Sequence, residues 1–81
     1  MAHVTLIGPL RDHTEGVTSL DIDAPSVRRL LSALGERFPD LAPYIEQGVA
    51  VAIDGQIYQD ALLQPIAPDS EVHILPPIAG G

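Results

Sequence analysis

Apolar and polar residues alternate from Ala2 to Ile7, with Val4 and Leu6 on one side and His3, Thr5 and Ile7 on the other. A period of two is that of a half-buried strand. Gly8-Pro9 stops it. Residues 10–16 are polar, end in Gly16 and read as a hairpin loop. Alternation resumes from Val17 to Asp23, where Val17, Ser19 and Asp21 oppose Thr18, Leu20 and Ile22, which predicts a second strand antiparallel to the first. The period then changes. Val27, Leu30, Leu31, Leu34 and Phe38 recur at helical spacing and form one apolar stripe, with Arg28, Arg29, Ser32 and Glu36 off it. Pro25 suits the entry to that helix, Ser26 or Asp23 can cap it, and Pro39 ends it. Leu41, Tyr44 and Ile45 predict a short helical turn tucked under the sheet. Val49–Ile53 is a β-branched run that reads as a buried strand. Asp54-Gly55 marks a tight turn, and Gln56–Tyr58 returns as a short strand. Residues 59–70 have no period and pass through Pro65 and Pro68. Glu71–Leu75 alternates once more, with Val72 and Ile74 on one side.

The order strand, strand, helix, strand, short strand, strand predicts an α+β domain over residues 1–75. Its mixed sheet of four to five strands is covered on one face by one main helix. The helix is the crossover that lets a late strand lie parallel to an early one. This is the β-grasp, or ubiquitin-like, arrangement, with the first and last strands adjacent at the centre; a split βαβ domain fits the same pattern. Residues 76–81 form a separate C-terminal tail.

Composition narrows the chemistry. The 81 residues have no cysteine, which excludes disulfides, thiolate metal sites and a cysteine nucleophile. The four basic residues are all arginine, Arg11, Arg28, Arg29 and Arg37, and the formal net charge is −7. That balance argues against nucleic-acid binding, which needs clustered cations, and favours partners with basic surfaces. The longest apolar run, Val49–Ile53, is far too short for a membrane span, and no secretory leader is evident, so a cytoplasmic location is expected. His3 and His73 fall on the outward side of neighbouring strands, but two imidazoles leave a metal's usual ligand set short, and no metal or bound cofactor is expected. Most carboxylates lie in loops and read as turn and solubilising residues.

The tail Pro76-Pro77-Ile78-Ala79-Gly80-Gly81 is different. Pro-Pro is stiff and directs the chain away from the sheet. Ala79, Gly80 and Gly81 have almost no side-chain bulk, so they can thread a narrow channel in another protein. One reactive group stands at the tip, the Gly81 carboxylate. A carboxylate is a poor electrophile until activated, so the fitting chemistry is adenylation followed by acyl transfer, with the catalysis supplied by partners.

A small β-grasp domain with this terminal hexapeptide resembles the MoaD/ThiS sulfur carriers, most closely the small subunits of molybdopterin synthase. The Pro25-Ser26-Val27 helix start and Asp69-Ser70-Glu71-Val72 before the last strand resemble that family as well. The resemblance implies that a ubiquitin-activating-type adenylyltransferase uses MgATP to convert the Gly81 carboxylate to an acyl adenylate. A persulfide donor then supplies the sulfur that leaves a Gly81 thiocarboxylate. The acceptor would be the molybdopterin synthase large subunit, which would hold the catalytic residues, so this chain is expected to be a sulfur donor and not an enzyme. The resemblance also places docking hydrophobes at Ile7 and Leu75, whose alternation points them away from the helix, with Gln56–Tyr58 bordering them. Leu10–Gly16 and the Ile74-Leu75-Pro76 approach look more like carriers serving a cysteine-synthase-type enzyme. Thiamine and specialised-metabolite pathways use similar tails, and so does a ubiquitin-like modifier joined through Gly81 to its targets.

Overall fold

The computed structural model describes residues 1–59 and 61–77. Five strands form one mixed sheet: β1 (Ala2–Leu6), β2 (Ser19–Ile22), β3 (Ala50–Ile53), β4 (Gln56–Gln59) and β5 (Glu71–Leu75). Their order is β2-β1-β5-β3-β4. β1 and β5 are parallel at the centre, with Val4 opposite Val72 and Leu6 opposite Ile74, and the other pairings are antiparallel. This is the β-grasp arrangement; the split βαβ alternative is set aside by the adjacency of β1 and β5.

Helix α1 (Val27–Arg37) crosses one face of the sheet and buries the whole predicted stripe, Val27, Leu30, Leu31, Leu34 and the flanking Phe38. They meet Ala2, Val4, Leu6, Val51, Ile53, Val72 and Ile74 from the inward side of the sheet. Four helical N–H groups at any helix start have no partner within the helix. Here Ser26 Oγ accepts from the Arg29 N–H at 3.4 Å, a cap of a kind that stabilises by about 1 kcal/mol. Two more first-turn groups donate to a distant loop, Val27 N–H to the Gln64 carbonyl at 3.0 Å and Arg28 N–H to the Leu62 carbonyl at 2.9 Å. Ile66 N–H closes the same seam on the Pro25 carbonyl at 2.9 Å. The aperiodic stretch before β5 is thus fixed by backbone bonds along the helix entry. Beyond Pro39, a 3₁₀ turn (Pro39–Leu41) and a short helix α2 (Ala42–Gln47) follow. Of the three apolar residues predicted to tuck in, Leu41 is fully buried, Ile45 is half-buried and Tyr44 is exposed.

The β3–β4 hairpin turns on Asp54 (φ 49°) and Gly55 (φ 89°), the two positive-φ positions of a two-residue type I′ turn. Asp54 also reaches across to β5. Its carboxylate accepts from the Glu71 N–H and from the Ser70 hydroxyl, both at 2.9 Å, while its own N–H donates to the Glu71 carbonyl at 2.9 Å. These bonds, the backbone one first, stabilise the charged form and hold the Asp54 carboxyl below its ordinary pKa.

One expectation is corrected. Residues 10–16 are not a plain hairpin loop: a 3₁₀ helix spans Gly8–His13 and turns Leu10 into the core. Thr14 follows it and is fully buried. Its hydroxyl donates to the Val17 carbonyl at 2.8 Å and lies 3.1 Å from the Arg11 carbonyl. A buried hydroxyl needs such partners, and the loop closes around it to provide them. Polar composition concealed this, because a threonine that serves as an internal tie looks in sequence like any loop residue.

Candidate functional site

The outward face of the sheet is graded along its strands. At the end where β5 begins, the cross-strand row is polar: Asp21, His3 and Glu71. His3 Nδ1 lies 3.1 Å from Asp21 Oδ1, so the imidazole has a carboxylate neighbour. His73 stands further along β5, opposite Thr5, and among the described residues no group of three or more His, Asp or Glu is placed to hold a metal. The middle row runs Ser19, Thr5, His73, Ala52, Ile57. Val51 and Ile53 face the core, so Ala52 and its partner Ile57 face outward. Ile57 is 54% exposed, high for an apolar side chain in a strand.

At the end where β5 stops, the row becomes apolar. Leu75 pairs with Ala50 across the β5–β3 ladder. Ile7 N–H donates to the Ile74 carbonyl at 3.0 Å, which keeps Ile7 abreast of the last residue of β5. The structure brings Ile7 and Leu75 together beside Pro76, both half-buried and so less open than alternation alone suggests. Gly8 makes the turn beneath them. Its φ of 64° is one that L residues with a Cβ rarely adopt, and its position would set a Cβ 3.9 Å from Pro76 Cγ. The chain therefore reverses direction directly under the root of the tail. Pro76 and Pro77 are the last described residues; Ile78, Ala79, Gly80 and Gly81, named from the sequence as the threading segment and reactive terminus, lie outside the described residues.

Sequence reasoning missed the other side of the tail root. There His13, from the end of the 3₁₀ helix, stacks on Tyr44 of α2 with ring centroids 4.3 Å apart and planes 27° off parallel. No local pattern joins two residues 31 positions apart; only the packing of the two segments does. Among the described residues no helix is long and apolar enough to cross a membrane.

The fold is shared with solved structures of low sequence identity. Small archaeal modifier protein 1 from Methanosarcina acetivorans is 24% identical, with a TM-score of 0.78 over 99% of this chain and 95% of that one. CysO of Mycobacterium tuberculosis is 19% identical, with a TM-score of 0.80 over 96% of this chain and 100% of that one. A putative molybdopterin converting factor subunit 1 from Pyrococcus furiosus is 21% identical, with a TM-score of 0.77 over 95% and 97%. No curated protein matches the sequence at a significant level. The sequence profile of the ThiS family matches residues 4–81, from the first strand through the terminal Gly80-Gly81, and the chain belongs to the ThiS family.

Proposed function

We propose that this chain donates sulfur from a Gly81 thiocarboxylate, and that the acceptor pathway is molybdopterin synthesis. The observation that carries the carrier reading is the family match, which takes in the terminal hexapeptide as well as the domain, and the choice of molybdopterin synthesis rests on the resemblance of that hexapeptide to the small subunits of molybdopterin synthase. Proteins of this family are small sulfur carriers with a ubiquitin-like fold, and not catalysts. The domain is then a handle for one carboxyl group.

The chemistry follows from that group. A carboxylate oxygen of Gly81 attacks the α-phosphorus of MgATP on the adenylyltransferase, and pyrophosphate leaves. The terminal sulfur of a persulfide attacks the acyl carbon, and AMP leaves with the carboxylate oxygen. A second thiol then attacks the donor-side sulfur of the resulting acyl disulfide, breaking its S–S bond and leaving the thiocarboxylate and a disulfide between that thiol and the donor. Transfer to the pterin precursor takes place in the large subunit of molybdopterin synthase, with catalytic groups that this chain does not supply. Pro76, Pro77, Ile78, Ala79 and Gly80 are the threading segment. Ile7 and Leu75, at the tail-root end of the outward face, form the docking surface, and the more exposed Ile57 of the middle row borders it, because a cluster of apolar groups beside the tail is what an interface core requires. The net charge of −7 steers the domain towards enzymes with a basic rim.

A second acceptor is favoured by one observation. The segment Leu10–Gly16 resembles carriers that serve a cysteine-synthase-type enzyme. Intact-protein mass spectrometry after coexpression with the cognate adenylyltransferase and sulfur donor tests the carrier reading. The expected product is the chain with one oxygen replaced by sulfur. Isopeptide adducts on other proteins, with no thiocarboxylate, would show a modifier instead. Incubating the thiocarboxylate form with each acceptor enzyme then separates the two pathways.

A further inference from the structure

An apolar cleft of about 200 Å³ opens beside the tail root, on the side away from Ile7 and Leu75. Its walls are Leu10 and His13 of the 3₁₀ helix, Tyr44 of α2, Val49 at the entry to β3, and Pro76 and Pro77 themselves. Leu10 and Val49 are buried and close its floor, while Tyr44 is 40% exposed and forms its rim. The His13–Tyr44 stack ties two walls that come from separate segments, and the buried Thr14 hydroxyl holds the end of one of them. The cleft is thus pre-formed.

We propose that this cleft is a socket for one apolar side chain on the lip of the adenylyltransferase channel that admits the tail, an inference that rests on the carrier reading above. Two observations point to the lip of a channel that admits the tail, and the adenylyltransferase is the enzyme whose channel the test below reads. The first is reach. On the carrier reading the reacting carboxyl sits on Gly81, four residues beyond Pro77. Four extended residues span about 14 Å at most. An active site that captures the Gly81 carboxyl inside a channel must therefore bring its mouth close to Pro77, and Pro77 is itself a wall of the cleft. The second is chemistry. A space of about 200 Å³ holds a single leucine, methionine or phenylalanine side chain, and its lining, mostly aliphatic and aromatic with Gln47 and His13 as polar side chains, favours an apolar group over a charged one. A side chain seated there, together with contacts to Ile7 and Leu75 opposite, grips the tail root from both sides and fixes the direction in which the last four residues enter.

The test is ATP–pyrophosphate exchange by the cognate adenylyltransferase, measured against the concentration of the full chain. Tyr44→Ala removes the rim and His13→Asp places a carboxylate in the cleft. Each is expected to raise the KM for the carrier at least about tenfold, as loss of an interface anchor does, with kcat within about twofold, because the tail and its terminus are unchanged. Leu63→Ala, at an 82% exposed position away from the tail, is expected to match wild type. Urea denaturation of each variant, with exchange assayed well below its transition, separates folding from docking. Unchanged KM in folded Tyr44→Ala and His13→Asp overturns the socket while leaving the carrier reading intact. No exchange with the wild-type chain overturns the carrier reading, and the socket falls with it.

Discussion

Replacing Thr14 with valine removes one oxygen from a fully buried site and leaves the shape nearly unchanged. In the native loop that oxygen donates to the Val17 carbonyl at 2.8 Å and lies 3.1 Å from the Arg11 carbonyl. The Arg11 carbonyl keeps the Thr14 N–H as a donor at 3.4 Å. The carbonyl of the half-buried Val17 is the group left without its donor, so the lower part of the cost of an unsatisfied acceptor applies. An unsatisfied buried acceptor costs about 1–3 kcal/mol. The methyl that takes the hydroxyl's place returns up to about 0.8 kcal/mol through apolar burial. The balance is a destabilisation of about 1 kcal/mol, or roughly 4–8 °C in Tm for a domain of this size. The assay is urea denaturation followed by circular dichroism, with amide exchange as a local readout. Thr14→Val should lower the urea midpoint with an unchanged slope. It should also accelerate exchange at Val17, whose N–H donates to the Thr14 carbonyl at 2.9 Å, more than in β1 and β5. Thr14→Ser keeps the hydroxyl and should preserve that local protection, while losing about 1 kcal/mol for a missing buried methyl. A Thr14→Val protein with a midpoint at or above wild type would refute the reasoning, because the hydroxyl would then contribute nothing beyond its volume.

Asp54→Asn should flatten the acid limb of the stability profile: the native carboxyl is held below its ordinary pKa, so its stabilisation is present above about pH 4 and is lost as the pH falls through the depressed value. Urea midpoints between about pH 5 and pH 2 check this, and parallel wild-type and variant profiles would remove Asp54 from the account. Gly55→Ala should destabilise by about 1–2 kcal/mol, measured as a urea midpoint, because φ of 89° suits only a residue without a Cβ. Leu34→Ala, at a position with no exposure between α1 and the sheet, should cost about 2–5 kcal/mol in the same measurement. Ile57→Asp should leave the urea midpoint within about 0.5 kcal/mol, since the side chain is 54% exposed, yet weaken partner binding in calorimetric titration. The reverse outcome would make Ile57 a folding residue.

Local pattern alone determined the strands, the main helix and the tight turn, though not the 3₁₀ helix Gly8–His13. The period-two runs at β1, β2 and β5, the 3.6-period stripe from Val27 to Phe38 and the Asp54-Gly55 turn each record a single segment's choice of face. A residue's face depends on its neighbours two to four positions away, so those elements are legible without knowing the fold. The proposed role of the tail hexapeptide rests on sequence for a similar reason: the chemistry proposed for it lies in its composition and order. Tertiary structure decided what meets across the chain. The parallel pairing of β1 with β5 sets Ile7 beside Leu75 and gives the outward face its polar and apolar ends. The seam between residues 61–66 and the helix entry, the link from Asp54 to Ser70 and Glu71, and the stack of His13 on Tyr44 join segments that no period relates. Thr14 shows the boundary between the two kinds of information. Its identity permits a buried hydrogen-bonded tie or an exposed loop residue, and only the burial that the folded chain imposes makes the hydroxyl necessary.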